Sequence, residues 1–151
     1  MADAHTKILG GHLNLSIVTP EAAAYDGPAD LIVVPGHDGE VAFLPGHAPF
    51  VGLLGAGELR AHVPEGGTKR FFLVGGVVQV AAGEVSVLAE SVTPVEALDL
   101  TKARVELEAA IARKGGDDEA EASRDRAILT ARAKVRLAEH VAGGAPAHAA
   151  H

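Results

Sequence analysis

A pair of histidines beside a pair of carboxylates is the densest chemistry in this 151-residue chain. The four are His37, Asp38, Glu40 and His47, in the stretch PGHDGEVAFLPGHAP from Pro35 to Pro49. Histidines near carboxylates hold a metal or pass a proton when the backbone aims them at one point. Metal-dependent β-barrel enzymes do this with His-x-His, because alternate strand residues face the same way. Here the two histidines are ten positions apart with glycine-bearing turns between them, and no His-x-His occurs. That spacing argues against a metal centre. There is no G-x-S-x-G elbow, and the glycine pair Gly75-Gly76 leads into Val77-Val78 rather than a phosphate-binding lysine. The chain has no cysteine, so thiol nucleophiles, thiolate metal sites and disulfides are excluded. His148 and His151 stand alone in an alanine-rich tail. No catalytic residue and no metal ligand is expected.

The stretch itself reads turn, short strand, turn, with Val41 and Phe43 alternating against Glu40 and Ala42. The same alternation runs through Leu13, Leu15 and Ile17, through Leu59, Ala61 and Val63, and through Val85, Val87 and Ala89. Leu31 to Val34 is an unbroken apolar run, short enough for a strand covered on both faces. Phe71 to Val74, Gly75-Gly76 and Val77 to Val80 read as a hairpin. Short strands at even spacing, divided by Gly/Pro turns, predict a flattened β-sandwich of about ten strands over residues 13–92, after a loose arm at 1–12. With 48% hydrophobic and only 3% aromatic residues, its core must be aliphatic.

After Val92 the composition shifts to Ala, Glu, Arg and Lys. Leu100, Ala103, Leu107 and Ala110 recur at helical spacing, as do Ile128, Ala131, Val135 and Ala138. This predicts an antiparallel two-helix hairpin over 93–141 with its turn near 115–118, then a disordered tail at 142–151. Gly115-Gly116 would end the first helix, and Asp117 or Asp118 would cap the second. Thr93-Pro94-Val95-Glu96 fits a capping box and Asp99 is a rival cap. The expectation is a long helix from Asp99 and a single turn at Thr93. The fold class is therefore two-domain α+β.

Net charge is −7, which argues against nucleic acid as a partner. Residues 12–92 hold nine acids against three bases, a net of −6. The second helix reverses this, with Arg124, Arg126, Arg132, Lys134 and Arg136 against Asp125 over 124–136. Such a helix is either a solvated face or a contact element for an acidic partner. No signal peptide is read at the N-terminus, and no run of about 18 apolar residues is present for a membrane span. The residues alone describe a non-catalytic β domain with a helical hairpin. A free-standing ligand-binding module whose hairpin senses nucleotide fits that description too.

VTPEAAAYDG (18–27), IVVPGHDGEVAFLPGHAP (32–49), FLVGGVVQV (72–80), EVSVLAES (84–91) and LDLTKA (98–103), in that order, resemble the epsilon subunit family of bacterial F-type ATP synthase. The resemblance covers about residues 13–141. It implies a non-catalytic rotor subunit of the central stalk, peripheral on the cytoplasmic side of the cell membrane. It further implies that His37, Asp38, Gly39 and Glu40 face the membrane c-ring, and that Thr19, His47 and Gly52 lie on the face that binds the gamma subunit. In this family the hairpin regulates ATP hydrolysis, permitting turnover when folded and inhibiting when extended along gamma. The resemblance then gives the basic residues Arg124, Arg126, Arg132, Lys134 and Arg136 an acidic partner in the catalytic beta subunit, alongside alpha. Some members bind ATP through Ile/Leu-Asp-x-x-Arg-Ala. The matching residues here are Leu98, Asp99, Lys102 and Ala103, with Arg132 and Arg136 available on the second helix. Lys102 stands where arginine is expected and lacks the bidentate fork. No cofactor is required, and ATP binding is expected to be weak or absent.

Overall fold

A computed structural model describes residues 11–143. The expected arm before residue 11 and the expected tail beyond 143 lie outside the described residues. The chain divides into two compact units after Val92.

The first unit holds ten strands: β1 (Leu13–Val18), β2 (Ala23–Ala29), β3 (Leu31–Gly36), β4 (Gly39–Phe43), β5 (Phe50–Leu53), β6 (Ala56–His62), β7 (Thr68–Val74), β8 (Val77–Ala81), β9 (Glu84–Leu88) and β10 (Ser91–Pro94). They form two five-stranded sheets, ordered β2-β1-β9-β8-β5 and β10-β7-β6-β3-β4. The inward positions of the alternating strands meet between the sheets. Leu15, Ile17, Ile32, Val34, Leu59 and Val85 are all fully buried there. Period-2 apolar residues on strands of both sheets are what make two layers close on each other. β1 and β9 pair in parallel, Val18 opposite Leu88, whereas β1–β2, β3–β4, β3–β6, β5–β8, β6–β7 and β8–β9 are antiparallel.

The Gly75-Gly76 segment is not a hairpin turn. β7 lies in one sheet and β8 in the other, so these glycines carry the chain around a corner. Both take positive φ, 62° and 113°. Two further two-residue corners, Leu54-Gly55 and Ala89-Glu90, sit at the same end. The three are tied together by backbone bonds: Leu54 N–H to Gly76 O (2.9 Å), Gly75 N–H to Gly55 O (3.1 Å) and Glu90 N–H to Val74 O (3.1 Å). A two-residue connection between apolar runs looks the same in sequence whether it joins neighbours or crosses the sandwich. The hydrogen-bond partners that decide it lie far along the chain.

The second unit opens on a 3-10 turn at Val95–Ala97, followed by α1 (Leu100–Ala112) and α2 (Asp118–Ala142). Thr93 lies in β10 rather than capping that turn, which has no side-chain cap. Asp99 is the N-cap of α1, accepting from the Lys102 N–H at 3.1 Å. Asp117 caps α2 through the Ala120 N–H at 2.8 Å. The glycines do not end α1. It stops at Arg113, whose extended backbone (φ −62°, ψ 140°) leads out of the helix. The helices run antiparallel, with Arg104 against Glu139 (3.4 Å) and Glu106 against Lys134 (2.8 Å). The buried residues along them are the small Ala103, Ala110, Ala131 and Ala138, with Leu137.

Candidate functional site

The corner end of the sandwich also carries the acidic turn. Gly36 and Gly39 pair across it, leaving His37 and Asp38 as an exposed two-residue tip. Gly39 has φ 132°, a backbone that a side chain rarely tolerates, and this lets the chain re-enter β4 at once. The turn is fixed to β5 from behind. His37 N–H donates to Leu53 O at 2.9 Å and Gly55 N–H to Pro35 O at 2.8 Å. The tip is thus a rigid projection rather than a loose loop. Glu40, one step further, is held by Arg60, with Nη1 to Oε2 at 2.9 Å and Nη2 to Oε1 at 3.5 Å. Arg60 also reaches Glu58 at 3.5 Å, and Glu58 meets Arg70 at 2.5 Å. The charge of Glu40 is therefore shared with its own sheet, whereas Asp38 points its carboxylate outward without a described partner.

Beside this turn lies a surface that no motif announced. On the outer face of the β2-β1-β9-β8-β5 sheet, the last row before the corners is Val18, Leu88, Val77 and Leu53, each directly opposite the next. Leu53 is 65% exposed and Leu88 58%. Val51, two residues back on β5, is also exposed. The next row is mostly polar, with Ser16, Ser86 and Gln79 opposite Val51. Four strands at about 4.8 Å make an apolar row some 14 Å wide. A signal existed in the sequence: Val77 next to Val78, and Leu88 next to Val87, break the alternation by placing an apolar residue in an outward slot. The reading of β8 as half of a hairpin obscured it.

The remaining expected contact residues are scattered. Thr19 follows Val18 and organises a turn, bonding Ala22 through its hydroxyl (3.1 Å) and N–H (2.9 Å). Gly52 faces inward, where a Cβ would meet the Phe50 ring at 2.8 Å, so its smallness serves that ring. His47 precedes β5, whose first residue, Phe50, is about 10 Å from Leu53 along the strand. Its Nδ1 lies 2.7 Å from Ala48 O, and its ring packs edge-on against Phe43 at 5.1 Å. Among the described residues, no three of His, Asp and Glu gather as a metal site.

On the hairpin, the basic residues split. Arg124 and Lys134 are committed to α1. Arg126, Arg132 and Arg136 are exposed, with no ion pair to another described residue. Ala103 is buried, and Asp99 is occupied as a cap. The helix register puts Arg136 and Arg132 about 8 and 14 Å along the axis from Asp99. Of the expected ATP-binding residues, Leu98, Asp99, Lys102 and Ala103 lie at the start of α1, and Arg132 and Arg136 on α2. Among the described residues no helix is long and apolar enough to cross a membrane.

A family model described as the β-sandwich domain of the ATP synthase delta/epsilon chain matches residues 12–95. The ATP synthase epsilon chain of Dehalococcoides mccartyi is 36% identical over 132 residues, covering 84% of this chain and 92% of that one. Epsilon chain 2 of Ralstonia nicotianae is 37% identical over 130 residues, covering 86% and 88%. Among solved structures, a chain of the Euglena gracilis mitochondrial ATP synthase (OSCP/F1/c-ring, rotational state 1) shares the fold with a TM-score of 0.73 at 22% identity, over 82% of this chain and 79% of that one. One from the Tetrahymena thermophila central stalk/c-ring does so with a TM-score of 0.60 at 14% identity, over 83% and 96%. With its sandwich matched by the family model and its relatives aligned into the helical unit, the chain belongs to the ATP synthase epsilon chain family, a non-catalytic subunit of that enzyme.

Proposed function

We propose that the chain joins the gamma subunit to the membrane c-ring as part of the rotor, on the cytoplasmic face of the cell membrane. The apolar row Val18–Leu88–Val77–Leu53 carries this reading. An outward apolar row bordered on one side by a mostly polar row has the make-up of an interface centre and its rim. Gamma is the partner for that row. The exposed tip His37-Asp38 beside it is directed to the polar loops of the c-ring, the setting named for the two structures of like fold. A rigid backbone-locked turn next to an apolar patch suits a joint that must carry torque. The direct test is assembly. Gamma should retain the full chain, and the pair should be retained by c-ring in detergent; a chain that gamma does not hold sinks the proposal.

The hairpin is the regulatory part. Its seam is largely alanine, so it buries little area per turn, and its closed and opened arrangements lie within a few kcal/mol of each other. Exposed Arg126, Arg132 and Arg136 supply the cationic face for an acidic region of the beta subunit when the hairpin opens. Removing residues from Leu98 onward, which leaves β10 (Ser91–Pro94) whole, should leave assembly intact and raise ATP hydrolysis by the complex several-fold. An unchanged rate removes the inhibitory role.

ATP itself is held weakly or not at all. Asp99 is engaged as a cap, and Lys102 lacks the fork of arginine. Calorimetric titration with ATP should show no binding tighter than about 100 μM, a free energy near −5.5 kcal/mol. Low-micromolar affinity would contradict this.

A further inference from the structure

The cations of α2 are not equivalent, and one of them reaches backbone carbonyls at the end of α1. A helix leaves its last four carbonyls without partners. In α1 two of these, Ala109 O and Ala110 O, accept from the Arg113 N–H at 3.1 and 3.3 Å. Arg124, on the other helix, supplies the next donors. Its Nη2 donates to Ile111 O at 2.8 Å and its Nε to Arg113 O at 2.7 Å. A return contact runs from Arg113 Nη2 to Ser123 Oγ at 3.2 Å. The positive guanidinium therefore sits where the α1 dipole is negative and its carbonyls are bare. Among the described residues, the ion pairs between the two helices, Arg104–Glu139 and Lys134–Glu106, join side chain to side chain, each with an exposed glutamate. Such pairs contribute little. Arg124 alone forks onto backbone.

We propose that Arg124 is the latch of the hairpin: its fork across Ile111 O and Arg113 O keeps α2 against α1, and opening the hairpin requires its release. The latch is a property of this unit by itself. Its consequence for turnover rests on the regulatory reading above. Released, Arg124 would rejoin Arg126, Arg132 and Arg136 as a cation open to an acidic partner, so opening and engagement would be linked through one side chain.

The chain lacks cysteine, so a pair of introduced thiols takes spin labels at two sites only. Thr101→Cys and His140→Cys are exposed positions at the open end of the hairpin. Pulsed dipolar spectroscopy on the full chain should give one short distance for the parent. Arg124→Gln should raise the long-distance population at least about fivefold, the loss expected of charge-assisted hydrogen bonds. Arg124→Lys should fall between, since one ammonium cannot span both carbonyls. Arg126→Gln removes the same charge from an exposed neighbour and should leave the distribution as in the parent. If Arg124→Gln and Arg126→Gln give the same distribution, there is no latch. If Arg124→Gln opens the hairpin while ATP hydrolysis by the assembled complex stays constant, the latch stands and the regulatory reading falls.

Discussion

Alanine in place of Gly76 should cost the sandwich about 3–5 kcal/mol, a large share of what a small domain has. Two independent effects add at this corner. The backbone sits at φ 113°, where alanine is strained. A Cβ there would also overlap the carbonyl oxygen of Leu88 and approach Ala89 Cα to 2.8 Å. Both neighbours are backbone, fixed by the β9–β10 corner, so neither can swing away as a side-chain end would. The chain has one tyrosine and no tryptophan. That tyrosine, Tyr25, packs at a tilt against Phe71, with ring centres 5.5 Å apart, within the sandwich unit. Its phenol is pushed above the ordinary 10.0 by burial, then by Glu65 and Asp26, so it is neutral at neutral pH, and its place in β2 makes its emission a report on the first unit. The Tyr25-detected midpoint of Gly76→Ala should drop by at least about 15 °C. Gly66→Ala supplies the control, because Gly66 has φ 97° with open space around it. It should lose only about 1 kcal/mol. Equal midpoints for the two variants would show that the corner yields and that the overlap with Leu88 is not a constraint.

That corner also marks where sequence reading stops. Leu15, Leu59 and Val85 declare their strands and their inward faces by alternation, and the two-sheet sandwich follows from them. Asp99 declares the start of α1 because a cap acts on its own helix, three residues away. The corners act at long range. Whether Gly75-Gly76 turns back or crosses over depends on Gly55 and Leu54, some twenty residues earlier in the chain. The same holds for Arg124. It reads as one more cation in a basic helix, yet the carbonyls it serves end another helix. The acidic turn was legible as a turn, but its composition overstated its chemistry. Glu40 is bound to Arg60 of a neighbouring part of the sheet, and His47, ahead of β5, is spent on Phe43. What distinguishes this end is the apolar row, which appears only once β1, β9, β8 and β5 are placed side by side.

Placing aspartate at Leu88 should separate docking from folding. Leu88 closes β9 with its side chain outward and 58% exposed, so the isolated chain should lose no more than about 1 kcal/mol. At a docked surface the outcome is different. An interface centre excludes water, and a carboxylate trapped there without a partner costs several kcal/mol. Every 1.4 kcal/mol is about a tenfold change in affinity, so capture by gamma should weaken at least about 100-fold. Ser86→Asp tests the boundary, because Ser86 is the next outward position on the same strand and lies in the polar row. There the new charge meets a rim that stays wet, and the loss should be under about tenfold. Leu53→Asp, at the other end of the row, should behave like Leu88→Asp if the four side chains act as one surface. The Tyr25-detected midpoint checks that each variant is folded before its affinity is read. Should folded Leu88→Asp bind gamma within about threefold of the parent, the row is not the interface centre. The partner of this end would then have to be sought through the rigid tip at His37-Asp38.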